Sequence, residues 1–345
     1  MARSMKWVYS FGNGKAEGKG TDKELLGGKG AGLAEMTSIG LPVPAGFTIA
    51  TEACDYYYKS GRRWPPGLDK QVRENLKKLE RVTGKRFGAG HDPLLVSVRS
   101  GAAVSMPGMM ETILNLGLND ESVEALGLQS GNRRFAQDAY RRLIMMFGTT
   151  ARGMERGSFD QAFEEVKERL TRRRLEVPLE VRIQDTDVNE HELEGLIGRY
   201  KVLYFKHTGE QFPQDPYRQL VGAIDAVFDS WMADKAVTYR RVEKLTDIGG
   251  TAVNVCQMVF GNMGDDSGTG VCFTRDPSTG ENVYYGDLLM NAQGEDVVAG
   301  VRTPVKLAEL KSILPGAYAQ LEAVRAVLEV HYRDMQDLEF TIERR

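Results

Sequence analysis

Apolar and polar residues alternate with period two toward both ends of the chain and with a period near 3.6 between them. In "PLLVSVRSG", Leu94, Val96 and Val98 oppose Leu95, Ser97 and Arg99, which predicts a strand. "LPVPAGFTIA" sets two prolines and a glycine ahead of another alternating run. From about 119 to 230 the spacing becomes helical. Asn132 can cap a helix carrying Phe135, Ala139, Leu143 and Met146, and Ser158 with Gln161 fits a capping box before Phe159, Phe163, Val166 and Leu170. Asn189 precedes Leu193, Leu196, Ile197, Tyr200 and Leu203, and Asp215-Pro216 opens a helix with Leu220, Ile224, Val227, Phe228 and Trp231 on one face. Strands return from about 235. "TAVNVCQMVFGN" and "GTGVCFTRDP" read as a hairpin broken at "MGDDS". A helix through Leu321, Val324 and Leu328 then leads to a last strand, "QDLEFTIE". There is no internal repeat and no low-complexity tract.

A length of 345 residues suits two or three compact units. The net charge of −3 gives no global reason to expect nucleic acid or an anionic membrane as partner. Arg172, Arg173 and Arg174 invite an RNA-binding reading, but Glu164, Glu165, Glu168 and Glu176 beside them favour a solvated helix end. Cys54, Cys256 and Cys272 form no CxxC pair, which points to a reducing compartment. With no apolar leader and no 18-residue apolar run, a soluble, cytoplasmic protein is expected; Met5 can serve as the natural start.

"LLGGKGAGLAEM" places Gly27, Gly28, Lys29 and Gly30 just before a short helix. Glycines let backbone approach an anion, a helix start offers free N–H groups, and lysine adds a charge. The spacing is neither a Walker A motif nor GxGxxG, so a plain turn with a surface lysine fits equally well. Arg99 ends its strand where open sheets place ligand groups, although a salt bridge would explain it too. The small residues of "GAAVSMPGMM", with Gly101 and Gly108, make a loop able to close over a polyphosphate. In the last strand Leu338, Phe340 and Ile342 oppose Asp337, Glu339, Thr341 and Glu343. Solvent or Mg²⁺ can account for that acidic face. Glu295 and Asp296 stand in a glycine-flanked turn suited to ribose hydroxyls or metal. The four histidines are dispersed, with no ligand-spaced pair.

Taken together, "LLGGKGAGLAEM", "SVRSGAAVSMPGMMETILNLGLND", "GTAVNVCQMVFGN", "SGTGVCFTRDPSTGE", "NAQGEDVVAGVRTP" and "RDMQDLEFTIE" resemble the pyruvate phosphate dikinase family, over essentially the whole chain and in the family's order. Phosphoenolpyruvate synthases share the arginine strand and the closing carboxylate strand but do not usually carry "MPGMM". The resemblance implies an α/β (mixed) ATP-grasp fold of two subdomains, 1–118 and 231–345, with a mainly helical insertion at 119–230. ATP would lie between the subdomains with Mg²⁺ on its phosphates. Lys29 and Arg99 would hold the phosphates under the loop around Gly108. Arg142, Thr269, Gly270 and Ser278 would belong to the inorganic phosphate or transferred-phosphoryl region. Cys256, Gln257, Met258 and Val259 would lie against adenine through backbone hydrogen bonds, Glu295 would approach the ribose, and Asp337 and Glu339 would serve the nucleotide and its metal.

The family's chain continues through a further glutamine-arginine stretch, a swivelling domain with a phospho-accepting histidine and a pyruvate-binding barrel, in a homodimeric parent. This chain stops at Arg345, so the expectation is the N-terminal nucleotide domain alone. It would bind Mg-ATP and pass phosphoryl to a histidine elsewhere, as part of ATP, phosphate and pyruvate giving AMP, pyrophosphate and phosphoenolpyruvate. The rival readings are the nucleotide domain of a phosphoenolpyruvate synthase, with water as acceptor, and a non-catalytic nucleotide-binding module.

Overall fold

The computed structural model describes residues 5–173, 183–245, 248–299 and 302–343. The chain divides into two compact units, Met1–Met258 and Val259–Arg345. The first unit begins with β1 (Val8–Gly12), β2 (Lys15–Ala16), α1 (Lys23–Ser38), β3 (Gly46–Ile49), α2 (Thr51–Lys59), α3 (Leu68–Thr83), β4 (Arg86–Phe87), β5 (Pro93–Leu94), β6 (Val96–Gly101) and β7 (Thr112–Leu116). It continues through α4 (Ser122–Ser130), α5 (Arg133–Arg152), α6 (Arg156–Arg173), α7 (Glu190–Thr208), α8 (Pro216–Ser230) and α9 (Asp234–Val242) to β8 (Ala252–Gln257).

Six of these strands form one antiparallel sheet in the order β2-β1-β3-β8-β6-β7. Side chains opposite one another in an antiparallel pair share a face. Phe47, Ile49, Val253, Val255, Val98 and Ile113 therefore make one apolar face, and all are fully buried. The other face runs Thr48, Asn254, Arg99 across β3, β8 and β6, with Cys256 and Ser97 in the next row. Helix α1 covers this polar face with small residues. A Cβ at Gly30 would come within 2.8 Å of the Thr48 methyl and 3.0 Å of Asn254 Oδ1.

The helical region joins the same compact unit rather than standing apart, because α5 packs on β7 and on α4, α7 and α8. Phe212 meets Phe147 and Tyr204 there edge-on, with ring centroids 5.8 and 5.5 Å away. Asn132 caps α5 by accepting from the Phe135 N–H, and Asp215 caps α8 with Pro216 in its first turn. Ser158 is no cap: α6 already starts at Arg156 and encloses it. Arg172 pairs with Glu168 on the exposed end of α6, while Arg174 and Glu176 lie outside the described residues.

The second unit holds β9 (Gly268–Phe273), β10 (Tyr285–Met290), α10 (Gly294–Ala299), β11 (Val305–Lys306), α11 (Leu310–Ile313), α12 (Pro315–Tyr332) and β12 (Asp337–Ile342). Its sheet runs β11-β10-β9-β12, all antiparallel. Leu338, Phe340 and Ile342 pack onto a core of Cys272, Leu288, Leu307, Leu310 and Leu321. A Cβ at Gly270 would strike the Phe340 ring at 2.4 Å, so the bare strand makes room for the aromatic.

Two expectations change here. The strands either side of "MGDDS" are not a hairpin: β8 is bonded on both edges by β3 and β6, and β9 by β10 and β12 in the other unit. The unit boundary accordingly falls between Met258 and Val259, not at 231, since β8 completes the first sheet. Among the described residues, no helix is long and apolar enough to cross a membrane.

Gly27 breaks α1 with φ 69°, ψ 168°, and a Cβ there would lie 1.6 Å from the Gly101 carbonyl oxygen. Gly27→Ala is expected to destabilise the fold by more than about 2 kcal/mol, adding overlap to left-handed strain. Gly40→Ala, equally left-handed (φ 83°) but with nothing within 4 Å, should cost only about 1 kcal/mol. Urea unfolding midpoints check both.

Candidate functional site

The break at Gly27 restarts the helix at Gly28, whose N–H donates to the Ala102 carbonyl at 2.9 Å. Lys29 thereby enters the first turn of the restarted segment. Its Cβ lies 3.6 Å from where a Gly101 side chain would begin. Arg99 stands two residues before Gly101 on β6. The structure thus brings Lys29 and Arg99 into one neighbourhood, where both cations act on the Cys256 thiol. Burial nevertheless pushes that thiol up to about 11, against the two positive charges.

Arg99 is half-buried, and its Nε is enclosed without a hydrogen-bond partner. No carboxylate pairs with it among the described residues. The salt-bridge explanation for this arginine is therefore not realised, and an enclosed cationic donor is left without an acceptor among the described residues.

Beyond Gly101 the loop of small residues is pinned at its base and open at its tip. Met106 is buried, and Lys235 Nζ meets Glu111 Oε1 at 2.7 Å. Met109 N–H donates to the Met106 carbonyl at 3.1 Å across Pro107 and Gly108, and Gly108 has φ 71°, the geometry of a type II turn. The turn itself is exposed.

Arg142 lies on α5, one turn from Asp138. Its Nε donates to Asp138 Oδ2 at 3.0 Å, and Arg141 Nε donates to Oδ1 at 2.8 Å. Burial would raise the Asp138 pKa; Arg141, Arg142 and Arg134 outweigh it and hold the carboxyl at about 2. The carboxylate is thus the fixed point from which Arg142 is aimed.

Cys256 and Gln257 end β8, and Met258 and Val259 follow it to the unit boundary. The N–H of Gln257 donates to Ala45 and that of Met258 to Leu95, so neither is available to a base. In the second unit Thr269 and Gly270 lie on β9, with the Thr269 hydroxyl donating to the Phe340 carbonyl at 3.1 Å. Ser278 sits in an exposed turn whose N–H groups, at Ser278 and Thr279, donate to Asp276 Oδ1. Glu295 belongs to α10, and its side chain lies outside the described residues. Asp337 and Glu339 are exposed on one face of β12, opposite Phe273 and Val271 of β9, and neither has an ion-pair partner among the described residues. Among the described residues no three His, Cys, Asp or Glu side chains cluster as a metal cage. Hard, unpaired oxygen donors at two-residue spacing still fit Mg²⁺, which usually takes one or two carboxylates and completes its shell with phosphate oxygens and water.

Two buried amides carry unmet donors that pattern reading missed, while buried Asn75 and Asn115 each leave only Oδ1 unpartnered among the described residues. Asn254 Nδ2 has no partner, and neither does either amide atom of Gln293. The signal was available for the first: a lone asparagine interrupts the apolar run "TAVNVCQ".

The family model "Pyruvate phosphate dikinase, AMP/ATP-binding domain" matches residues 23–82 and 62–315. The chain belongs to the pyruvate phosphate dikinase family. It is similar to pyruvate, phosphate dikinase of Rhizobium meliloti (strain 1021), 52% identical over 351 residues that cover 98% of this chain and 38% of the relative. Similarity to pyruvate, phosphate dikinase 2 of Zea mays is 50% over 341 residues, covering 99% and 37%. The chloroplastic pyruvate, phosphate dikinase 1 of Arabidopsis thaliana is 50% identical over 340 residues, covering 99% and 34%. The chain thus spans little more than a third of these relatives and carries the dikinase family's AMP/ATP-binding domain, and Lys29, Arg99 and Arg142 all fall inside the matched residues.

Asp138 ionises below its unfolded value near 4, so its stabilisation is complete above about pH 4 and is lost as pH falls through about 2. Asp138→Asn is expected to cost about 3 kcal/mol at pH 7 by stranding buried arginines. It should also flatten the fall in stability between about pH 4 and 2, measured by urea midpoints across that range.

Proposed function

We propose that this chain binds Mg-ATP through Lys29 and Arg99 and passes a phosphoryl group to a histidine outside residues 1–345. It would thereby serve the nucleotide half of a reaction in which ATP, phosphate and pyruvate give AMP, pyrophosphate and phosphoenolpyruvate. The observation that carries this reading is the enclosed, unpartnered Nε of Arg99 beside Lys29. Phosphoryl transfer asks a protein for positioning and charge neutralisation rather than covalent help. Two cations held by a helix start and a strand supply both, at the point where negative charge gathers between ATP and its acceptor.

The remaining residues would take the following parts. The Pro107–Gly108 turn is exposed and anchored only at its base, which suits a cover that excludes water from the phosphates. Arg142, aimed by Asp138, would meet the transferred group or inorganic phosphate, with Thr269, Gly270 and Ser278. Adenine would lie along Cys256, Gln257, Met258 and Val259. Because the N–H groups of Gln257 and Met258 are already committed, the base would use other backbone groups of that segment. Glu295 would approach the ribose. Asp337 and Glu339 would hold Mg²⁺, which when bound neutralises phosphate charge and orients the chain of phosphates.

Calorimetry with ATP and adenosine tests the phosphate clamp. Lys29→Ala and Arg99→Ala are each expected to weaken ATP by about 20-fold, the worth of a charge-assisted hydrogen bond, and to leave adenosine unchanged. ATP affinity equal to that of the unsubstituted chain would remove the residue from the clamp. Glu339→Gln should move the Mg²⁺ requirement for ATP binding to about tenfold higher concentration. Transfer itself is read by adding a histidine-bearing domain of a dikinase relative in trans. Label moving from ATP to histidine is expected, with AMP formation dependent on phosphate. Full AMP formation without phosphate would indicate water as acceptor, and binding without any labelling would indicate a module that only binds.

A further inference from the structure

We infer that Asn254 is a second donor to the polyphosphate, working across the sheet from Arg99; this deepens, and rests on, the nucleotide reading above. Asn254 and Arg99 are directly opposite on β8 and β6, on the polar face beneath α1. Their Cβ atoms are therefore about 5 Å apart, close enough for one group to bond both side chains. Asn254 is 1% exposed. Its Oδ1 accepts from the Thr48 hydroxyl at 2.9 Å, which fixes the plane of the amide and turns the NH₂ toward Gly101. Only the missing side chain of Gly101 leaves space there, since a Cβ would come within 2.5 Å of Nδ2.

Among the described residues that NH₂ has no acceptor, and neither has Arg99 Nε. An asparagine buried for structural reasons normally donates to a carbonyl. The other two buried asparagines do so: Asn75 Nδ2 to Gln71 at 2.8 Å and Asn115 Nδ2 to Ala139 at 3.1 Å. A buried donor left unmade is costly, and two left side by side on neighbouring strands point to one acceptor that the polypeptide does not provide. The acceptor must take bonds from an amide and a guanidinium together, and it must tolerate Lys29 nearby. An oxyanion with several equivalent oxygens meets these terms, and a phosphate of the nucleotide is the one this site is built to receive. Arg99 and Cys256, the neighbours in the row, are only half-buried, so solvent reaches the side chains next to the two donors.

The test compares ATP with adenosine, by calorimetry on the whole chain, for Asn254→Leu, Asn254→Ser and Thr48→Val. Both Asn254 variants are expected to weaken ATP by about tenfold while adenosine stays within about twofold, because only the phosphates lose a donor. Thr48→Val keeps the amide but releases it, and should weaken ATP by about threefold with adenosine again unchanged. Parallel loss of ATP and adenosine would assign Asn254 a structural role and overturn the inference. Unchanged ATP affinity in the folded variants would mean that the NH₂ serves only water, and would overturn it as well. If Arg99→Ala loses ATP selectively while the Asn254 variants do not, the inference fails and the nucleotide reading stands. If the unsubstituted chain shows no preference for ATP over adenosine, the nucleotide reading itself fails.

Discussion

Everything at the candidate site depends on how closely helix α1 approaches the end of strand β6. The contact is made by absences. Gly27 has no side chain where the Gly101 carbonyl lies, Gly30 none where Thr48 and Asn254 stand, and Gly101 none where the Asn254 amide sits. A Cβ at Gly27 or Gly30 would push the helix off the sheet and Lys29 with it, whereas one at Gly101 would displace the Asn254 amide. The cost is a left-handed residue inside a helix, which glycine alone accepts without strain. What results is a lysine from one element and an arginine from another that both act on the Cys256 thiol.

The second consequence is electrostatic. A helix normally covers the apolar face of a sheet, yet α1 covers the face bearing Thr48, Asn254 and Arg99, while Phe47, Ile49, Val253 and Val255 turn the other way. Helix α1 is suited to that task, because after Gly27 the residues it buries are small: Gly30, Ala31, Ala34 and Thr37. Polar groups held beneath a helix must bond to something. Thr48 and Oδ1 of Asn254 satisfy each other; the Asn254 NH₂ and Arg99 Nε do not. Strand register thus puts the apolar residues on one face of the sheet and leaves the polar face, beneath α1, for the recognition proposed above.

Register also explains what could and could not be anticipated from the residues alone. The alternation in "QDLEFTIE" placed Leu338, Phe340 and Ile342 on one side and the carboxylates on the other, because an edge strand with one wet face writes its burial into its own sequence. Asn132 and Asp215-Pro216 marked helix starts for the same local reason. Strand β8 was legible as a strand but not in its pairing. It bonds β3, whose Thr48 is 206 residues away, and no local signal carries that information. The hairpin around "MGDDS" and the boundary at 231 both failed on this one point. Arg99 and Lys29 were legible as residue types suited to phosphate. Their proximity was implied only by the family resemblance and by no local signal, since it follows from the glycine contact between α1 and β6.

Cys256 shows what kind of environment that contact creates. A thiol beside Lys29 and Arg99 would ordinarily ionise more readily, since each cation stabilises the thiolate. Here burial wins and pushes the thiol up to about 11, so it stays neutral at pH 7 and does not neutralise Arg99. Desolvation at this spot is therefore stronger than the pull of two nearby positive charges on a single sulfur. A phosphate differs from the thiolate in two respects that matter. It arrives already charged, so no ionisation has to be driven inside the protein, and its several oxygens can accept bonds from Arg99 Nε and its neighbours at once. The low dielectric that suppresses the thiolate then strengthens each of those bonds. Under the proposed reading, the desolvation that holds the thiol neutral would favour an oxyanion over a thiolate as the partner of the two cations.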